Sequence, residues 1–170
     1  GALLGMMLAF EPKEAGSMDR PPRDPQAPIL TRMLLVRIVL VSVVMMTGAF
    51  ILYNSALRQG SDIAVARTIA VNVFVMIELC YLFQCRSLTG SIFKMNFFSN
   101  PWILGGAGVM LLLQLGLTYL PLMNRLFHTA PISFSHWGQI AGACLVAMVV
   151  VTVDKKFAFR YSRGWSDPVP

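Results

Sequence analysis

Glu78 is the only acid well inside an apolar run of this chain, ten residues from Thr68 and seven from Cys85. A carboxylate near a bilayer centre costs at least about 2.5–3.5 kcal/mol on insertion scales, so such residues face a protein interior or an ion path. Carboxylate oxygen is also the ligand that hard cations such as Ca²⁺ prefer. Ion or proton handling is the first reading of Glu78, and a protonated carboxyl hydrogen-bonded to a neighbouring helix is the second. One carboxylate does not make a Ca²⁺ site, which takes about six to eight oxygens. At the adjacent turns of its own helix Glu78 has Phe74, Val75, Tyr81 and Leu82, and of these only Tyr81 brings an oxygen. Candidate oxygen donors elsewhere in the chain are few, namely Asn72, Gln84, Gln114, Thr118, Ser42, Thr47, Gln139 and Thr152, and no spacing singles one out. Most of such a site is expected to lie outside this chain.

Asn72 and Gln84 lie six residues either side of Glu78, a third of a turn off its face. Hydrogen bonding between helices is the expectation for both. His128 and His136 have no metal-ligand spacing and read as surface or interfacial residues. Cys80, Cys85 and Cys144 form no disulfide framework and read as small buried hydrophobes. The 11 methionines are scattered, which favours packing over a soft-metal relay. Arg32 and Arg37, at the start of a long apolar run, are expected to snorkel to the membrane interface. Asp154-Lys155-Lys156 reads as a charge cluster where a helix leaves the membrane. There is no Gly-x-x-x-x-Gly-Lys phosphate loop, no His-Glu-x-x-His and no Gly-x-Ser-x-Gly.

The elements that must position Glu78 follow from composition. Of the 170 residues, 56% are hydrophobic and 13% charged, with mean hydropathy +0.64. Soluble domains have about 45–50% apolar and about 25% charged residues, so a disordered chain is excluded and an ordinary soluble enzyme disfavoured. The length suits one domain at about 150 residues each. Four apolar runs reach the roughly 20 residues that cross a bilayer: Ile38 to Leu57, Thr68 to Cys85, Trp102 to Leu120 and Trp137 to Val153. They must be helices, because an open strand in lipid leaves its backbone unpaired. Gly105, Gly106, Gly108 and Gly116 in the third run are compatible with close helix approach. Gly1 to Phe10 is apolar but only half the needed length, and reads as the end of a helix whose start is missing. The expected fold is an all-α membrane protein, a helical bundle of four full transmembrane spans plus the cytoplasmic end of a fifth.

Charge sets the orientation. Lys13, Arg20, Arg23, Arg32, Arg37, Arg86, Lys94, Lys155, Lys156, Arg160 and Arg163 fall on one side, which is eleven of the fourteen bases. Arg58, Arg67 and Arg125 fall on the other. The positive-inside rule makes the first side cytoplasmic, including the carboxyl terminus. The net charge of +6 then reports topology, and no nucleic-acid partner is expected. Trp102, Trp137, Tyr53 and Tyr119 stand at span ends, as interfacial aromatics do. The expected divisions are 1–10, the end of a truncated helix; 11–37, a Pro/Arg-rich cytoplasmic loop and helix start; 38–153, the four spans; and 154–170, a basic cytoplasmic tail. Pro21, Pro22, Pro25 and Pro28 make the loop stiff and extended.

The loop Met18-Asp19-Arg20-Pro21-Pro22-Arg23-Asp24-Pro25 resembles the cytoplasmic loop between the sixth and seventh membrane helices of P-type cation-transporting ATPases. Leu8-Ala9-Phe10-Glu11-Pro12 resembles the end of their sixth helix, and Ala70 to Leu79 their eighth. Arg86-Ser87-Leu88 and Asn100-Pro101-Trp102 fit the following loop and the start of the ninth. The resemblance covers about residues 1–157. It implies the carboxyl-terminal membrane part of a pump that couples ATP hydrolysis to cation movement through an aspartyl-phosphate intermediate. In the calcium-pump branch a Glu of the eighth helix joins ligands from the fourth, fifth and sixth, and Glu78 holds the matching place. By the same resemblance Asp19, Arg20 and Arg23 are candidate contacts to the phosphorylation domain. The alternative for them is a loop held by its own prolines and charge pairs. The short connection between the second and third of these helices looks like a bacterial version.

The expectation is therefore a segment that supports the transport helices and supplies Glu78 to a cation site, with Ca²⁺ as cargo, in a multi-pass cell-membrane protein. Its partners would be the bilayer and the missing helices and cytoplasmic domains of the same polypeptide. The resemblance implies Mg²⁺ and ATP for the full-length pump, and no cofactor for these residues. The Asp-Lys-Thr-Gly phosphorylation motif is absent from the chain, so it should be inactive by itself. A non-enzymatic membrane scaffold or accessory subunit is the alternative, as is a proton-coupled secondary transporter.

Overall fold

The computed structural model describes residues 2–10, 30, 32–86 and 100–163. The elements are α1 (Ala2–Met7), a single 3₁₀ turn (Leu8–Phe10), α2 (Arg32–Arg58), α3 (Ile63–Cys85), α4 (Pro101–Tyr119), α5 (Pro121–Phe127) and α6 (Phe134–Arg163). No strand occurs among the described residues. Four of these helices, α2, α3, α4 and α6, are long and apolar enough to cross a membrane. The fold is the expected all-α membrane bundle.

Local chemistry sets the helix ends. Leu57 O and Ala56 O are taken by the N–H groups of Gly60 and Ser61, each at 3.0 Å. Gly60 sits at φ +80 there, a backbone that residues with a Cβ adopt only under strain. Two residues later Asp62 caps α3, accepting from Ile63 N at 2.7 Å. Asn100 caps α4 by accepting from Trp102 N and Ile103 N at 3.1 and 3.3 Å, with Pro101 in the first turn. Its other atom, Nδ2, donates to Met7 O at 3.3 Å. Phe10 packs on Trp102 beside it, ring centroids 5.6 Å apart. Pro121 starts α5, and α5 stops where His128 turns left-handed, at φ 51.

The main core lies where α2, α3 and α6 meet. Ala49 and Ala56 of α2 face Ala66, Ile69, Val73 and Ile77 of α3 and Ile140, Cys144 and Ala147 of α6. Lipid tails are as apolar as these side chains, so close packing and polar contacts, not release of water, hold the helices together. Small residues serve that closeness: a Cβ at Gly48 would already touch Val73 Cγ1 at 3.6 Å and Ile77 Cδ1 at 3.7 Å. A second cluster, Leu79 and Leu82 with Ile103 and Ala107, joins α3 to α4. Large apolar side chains cover the outside, among them Phe50, Leu112, Leu113 and Val146.

The structure corrects one expectation. Arg37 does not snorkel; it is 5% exposed and ion-paired. Of the α4 glycines, Gly106 is buried, but added Cβ atoms at Gly105 and Gly108 would meet nothing within 4 Å. The connection after Tyr119 contains the short helix α5. Helix α6 runs on to Arg163, so the charges after Val153 stand on the same helix.

Candidate functional site

Glu78 is half-buried on α3. Residues at spacings of three and four share a helix face, and Arg67, Val71, Phe74 and Glu78 run in that order along one stripe. Arg67, Val71 and Phe74 are exposed. Leu82, one turn beyond Glu78 on the same face, is buried against Ile103 and Ala107 of α4, so α4 borders the stripe at its Glu78 end. The opposite side is closed, with Ala66, Ile69 and Val73 fully buried against α2 and α6.

Six residues at about 100° each put Asn72 and Gln84 about 120° to either side of Glu78. Each amide is committed to a different helix. Asn72 Nδ2 donates to Thr118 Oγ1 of α4 at 3.1 Å and to Thr68 O at 2.8 Å. Thr118 Oγ1 donates onward to Gln114 O at 2.8 Å. Gln84 Nε2 donates to Thr152 Oγ1 of α6 at 3.2 Å. The sequence expectation of interhelical bonding holds for both. In the α3–α4 seam Asn72 Oδ1 and Gln114 Nε2 are buried without a partner among the described residues. An orphan of this kind costs about 1–3 kcal/mol.

Polar clasps close both ends of the bundle. At one end Arg37 Nε donates to Asp154 Oδ2 at 2.9 Å, and Lys155 Nζ donates to Gln84 O. At the other, Thr68 Oγ1 accepts from Ala130 N at 2.9 Å, and Trp137 Nε1 donates to Tyr119 OH at 2.7 Å. Tyr119 OH in turn donates to Ile132 O. Beyond the stripe at this second end, Arg67 borders a groove of about 430 Å³ with Asp62, Asn124, His128 and Thr129. The guanidinium at its rim disfavours a cation there.

Ser42 and Thr47 are exposed on α2, and Gln139 is half-buried on α6 with Oε1 unpartnered among the described residues. No three His, Cys, Asp or Glu side chains gather into a metal-holding group among the described residues. Asp19, Arg20 and Arg23 lie outside the described residues. Sequence reasoning missed the Arg37–Asp154 pair. The signal was available: with four spans, the start of the first and the end of the last share a side, and these two carry opposite charges.

Residues 2–157 match the family model described as the C-terminus of cation-transporting ATPases. The chain belongs to the C-terminal region of the cation-transporting ATPases. A probable cation-transporting ATPase F of Mycobacterium tuberculosis (strain ATCC 25618 / H37Rv) is 46% identical over 151 residues, 89% of this chain and 17% of the relative. A cation-transporting ATPase of Synechocystis is 34% identical, over 84% of this chain and 16% of its own length. A calcium-transporting ATPase of Bacillus subtilis is 32% identical, over 82% and 16%. The chain thus spans about one sixth of the length of these relatives. In this cation-transporting ATPase region Glu78 is the one acid of α3.

Proposed function

We propose that this ATPase region is the carboxyl-terminal membrane part of an ATP-driven Ca²⁺ pump, in which Glu78 supplies one carboxylate oxygen donor to the transported ion. The observation that carries the reading is the half-buried placement of Glu78 on the face of α3 that also bears the exposed Arg67, Val71 and Phe74, while Asn72 and Gln84 are spent on α4 and α6. The remaining oxygens would come from helices of the same polypeptide that pack on that face. A relative named as a calcium-transporting ATPase supports Ca²⁺ as the cargo. The residues present do not fit Mg²⁺–ATP, since the chain has no phosphate loop and no metal-holding cluster among its described residues. Those groups would belong to the rest of the polypeptide.

In this reading the Arg37 end of the bundle and the carboxyl terminus are cytoplasmic in a multi-pass cell-membrane protein, following the distribution of basic residues. The divisions are then a helix end at 1–10, a cytoplasmic loop at 11–37, the spans at 38–153 and the basic segment at 154–170. Asp19, Arg20 and Arg23 of the loop contact the phosphorylation domain. The test is Glu78→Gln in the complete pump. Losing one anionic ligand is expected to raise the half-saturating Ca²⁺ for ATP hydrolysis about tenfold or more. Unchanged Ca²⁺ dependence removes Glu78 from the ion site.

A further inference from the structure

We infer that Asn72 and Gln84 are positioning residues: two interhelical amide pins that fix the rotation of α3 and so aim Glu78. The inference rests on the proposed role of Glu78. Asn72 is fully buried and Gln84 is 2% exposed. Asn72 reaches α4 at Thr118, and Gln84 reaches α6 at Thr152. Along the axis each pin stands about 9 Å from Glu78, one on either side. Around the axis they stand about 120° from it in opposite senses. A pair so placed resists both rotation and tilt of α3, which a single contact does not.

The buried faces of α3 are made of Ala66, Ile69, Val73, Ile77, Leu79 and Leu82, whose attraction to their neighbours is not directional. Hydrogen bonds are directional and fail within a fraction of an ångström of stretch. A rotation of about 20° moves a side-chain tip about 5 Å from the axis by about 2 Å. That breaks either pin. It would also carry a Glu78 oxygen away from a Ca²⁺ ion bound at about 2.3–2.6 Å. The buried, unpartnered Asn72 Oδ1 is the second mark of the arrangement, because an apolar residue would pack the same seam without an orphan.

The partner hydroxyls allow a test that leaves α3 unaltered. In the complete pump, Thr118→Val and, separately, Thr152→Val should raise the half-saturating Ca²⁺ for ATP hydrolysis about tenfold, as loss of a supporting contact does at metal sites. The maximal rate at saturating Ca²⁺ should stay within about twofold. Thr118→Ser and Thr152→Ser keep the hydroxyl and should restore the original Ca²⁺ dependence. A purely structural role would lower the yield of folded pump at unchanged half-saturation. Spin labels at Val71 of α3 and Leu113 of α4 add a readout independent of Ca²⁺, and their distance distribution should broaden in Thr118→Val. The inference is overturned if Glu78→Gln weakens Ca²⁺ dependence while both Thr→Val variants leave it unchanged. If Glu78→Gln is itself silent, the reading of Glu78 fails. The label distances then decide the pins: broadening retains them as rotation locks of α3, and an unchanged distribution overturns them.

Discussion

Arg37 Nε lies 2.9 Å from Asp154 Oδ2, linking α2 to α6 across 117 residues of sequence. The Arg37 side chain is 6% exposed and that of Asp154 20%. Removing one partner of such a pair leaves the other charge poorly solvated, and costs more than the pair contributes. Asp154→Leu alone should destabilise the bundle by about 2–4 kcal/mol, read as thermal unfolding in detergent. Combining it with Arg37→Met should recover most of the loss. Additive losses would show that the two side chains act separately.

Asn72→Leu removes a buried pin but also an unpartnered buried oxygen. Interhelical hydrogen bonds in membranes contribute about 0.6 kcal/mol on average, and relief of the orphan offsets that. Unfolding stability should therefore change by less than about 1 kcal/mol. A loss above about 3 kcal/mol would make Asn72 a structural cornerstone instead.

Gly60 faces open space, so size is no obstacle there, but its φ of +80 is. Gly60→Ala should cost about 1 kcal/mol through backbone strain at the α2–α3 turn. Gly60→Asn, which tolerates this conformation better, should cost less. Equal stability of all three would place the turn in another backbone conformation.

Cys144 is buried in the α2–α3–α6 core and Cys80 packs against it. A short bifunctional thiol reagent should bridge these two within one chain, leaving Cys85 as the free thiol. Mass mapping of the bridged peptides checks the pairing. A bridge to Cys85 would rotate α3 or α6 relative to the packing described.

Sidedness can be read with an impermeant thiol reagent on a cysteine-free background. Arg125 and Lys156 are both exposed. Arg125→Cys should label on intact cells and Lys156→Cys only after permeabilisation. The reverse pattern would invert the orientation drawn from basic residues.

The four spans were legible because a bilayer demands long apolar runs whatever the tertiary contacts. The commitment of Asn72 and Gln84 was legible too, since an amide in an apolar run must find a partner on another helix. The stripe Arg67, Val71, Phe74, Glu78 follows from helical spacing alone. Which of its residues are exposed does not, because that depends on where α2, α4 and α6 pack. Arg37 shows the same limit: snorkelling and burial in an ion pair have one sequence signature, and only the proximity of Asp154 separates them. Helix α5 has seven residues, too few for a periodic pattern. Hydropathy marks where lipid stops, at Val153, and not where α6 ends, because Lys155 and Lys156 are good helix formers and the helix runs on to Arg163. The oxygens that would complete a site around Glu78 belong to other helices, so no spacing within α3 encodes them.

Asn100 bonds in two directions, capping α4 with Oδ1 and holding Met7 O with Nδ2, 93 residues back along the chain. A polypeptide made from its amino end lays down residue 7 long before residue 100. The carbonyl of Met7 opens the 3₁₀ turn Leu8–Phe10 and takes the Asn100 amide as a further donor once α4 is in place. The same side chain that starts α4 thus ties that start to the end of α1.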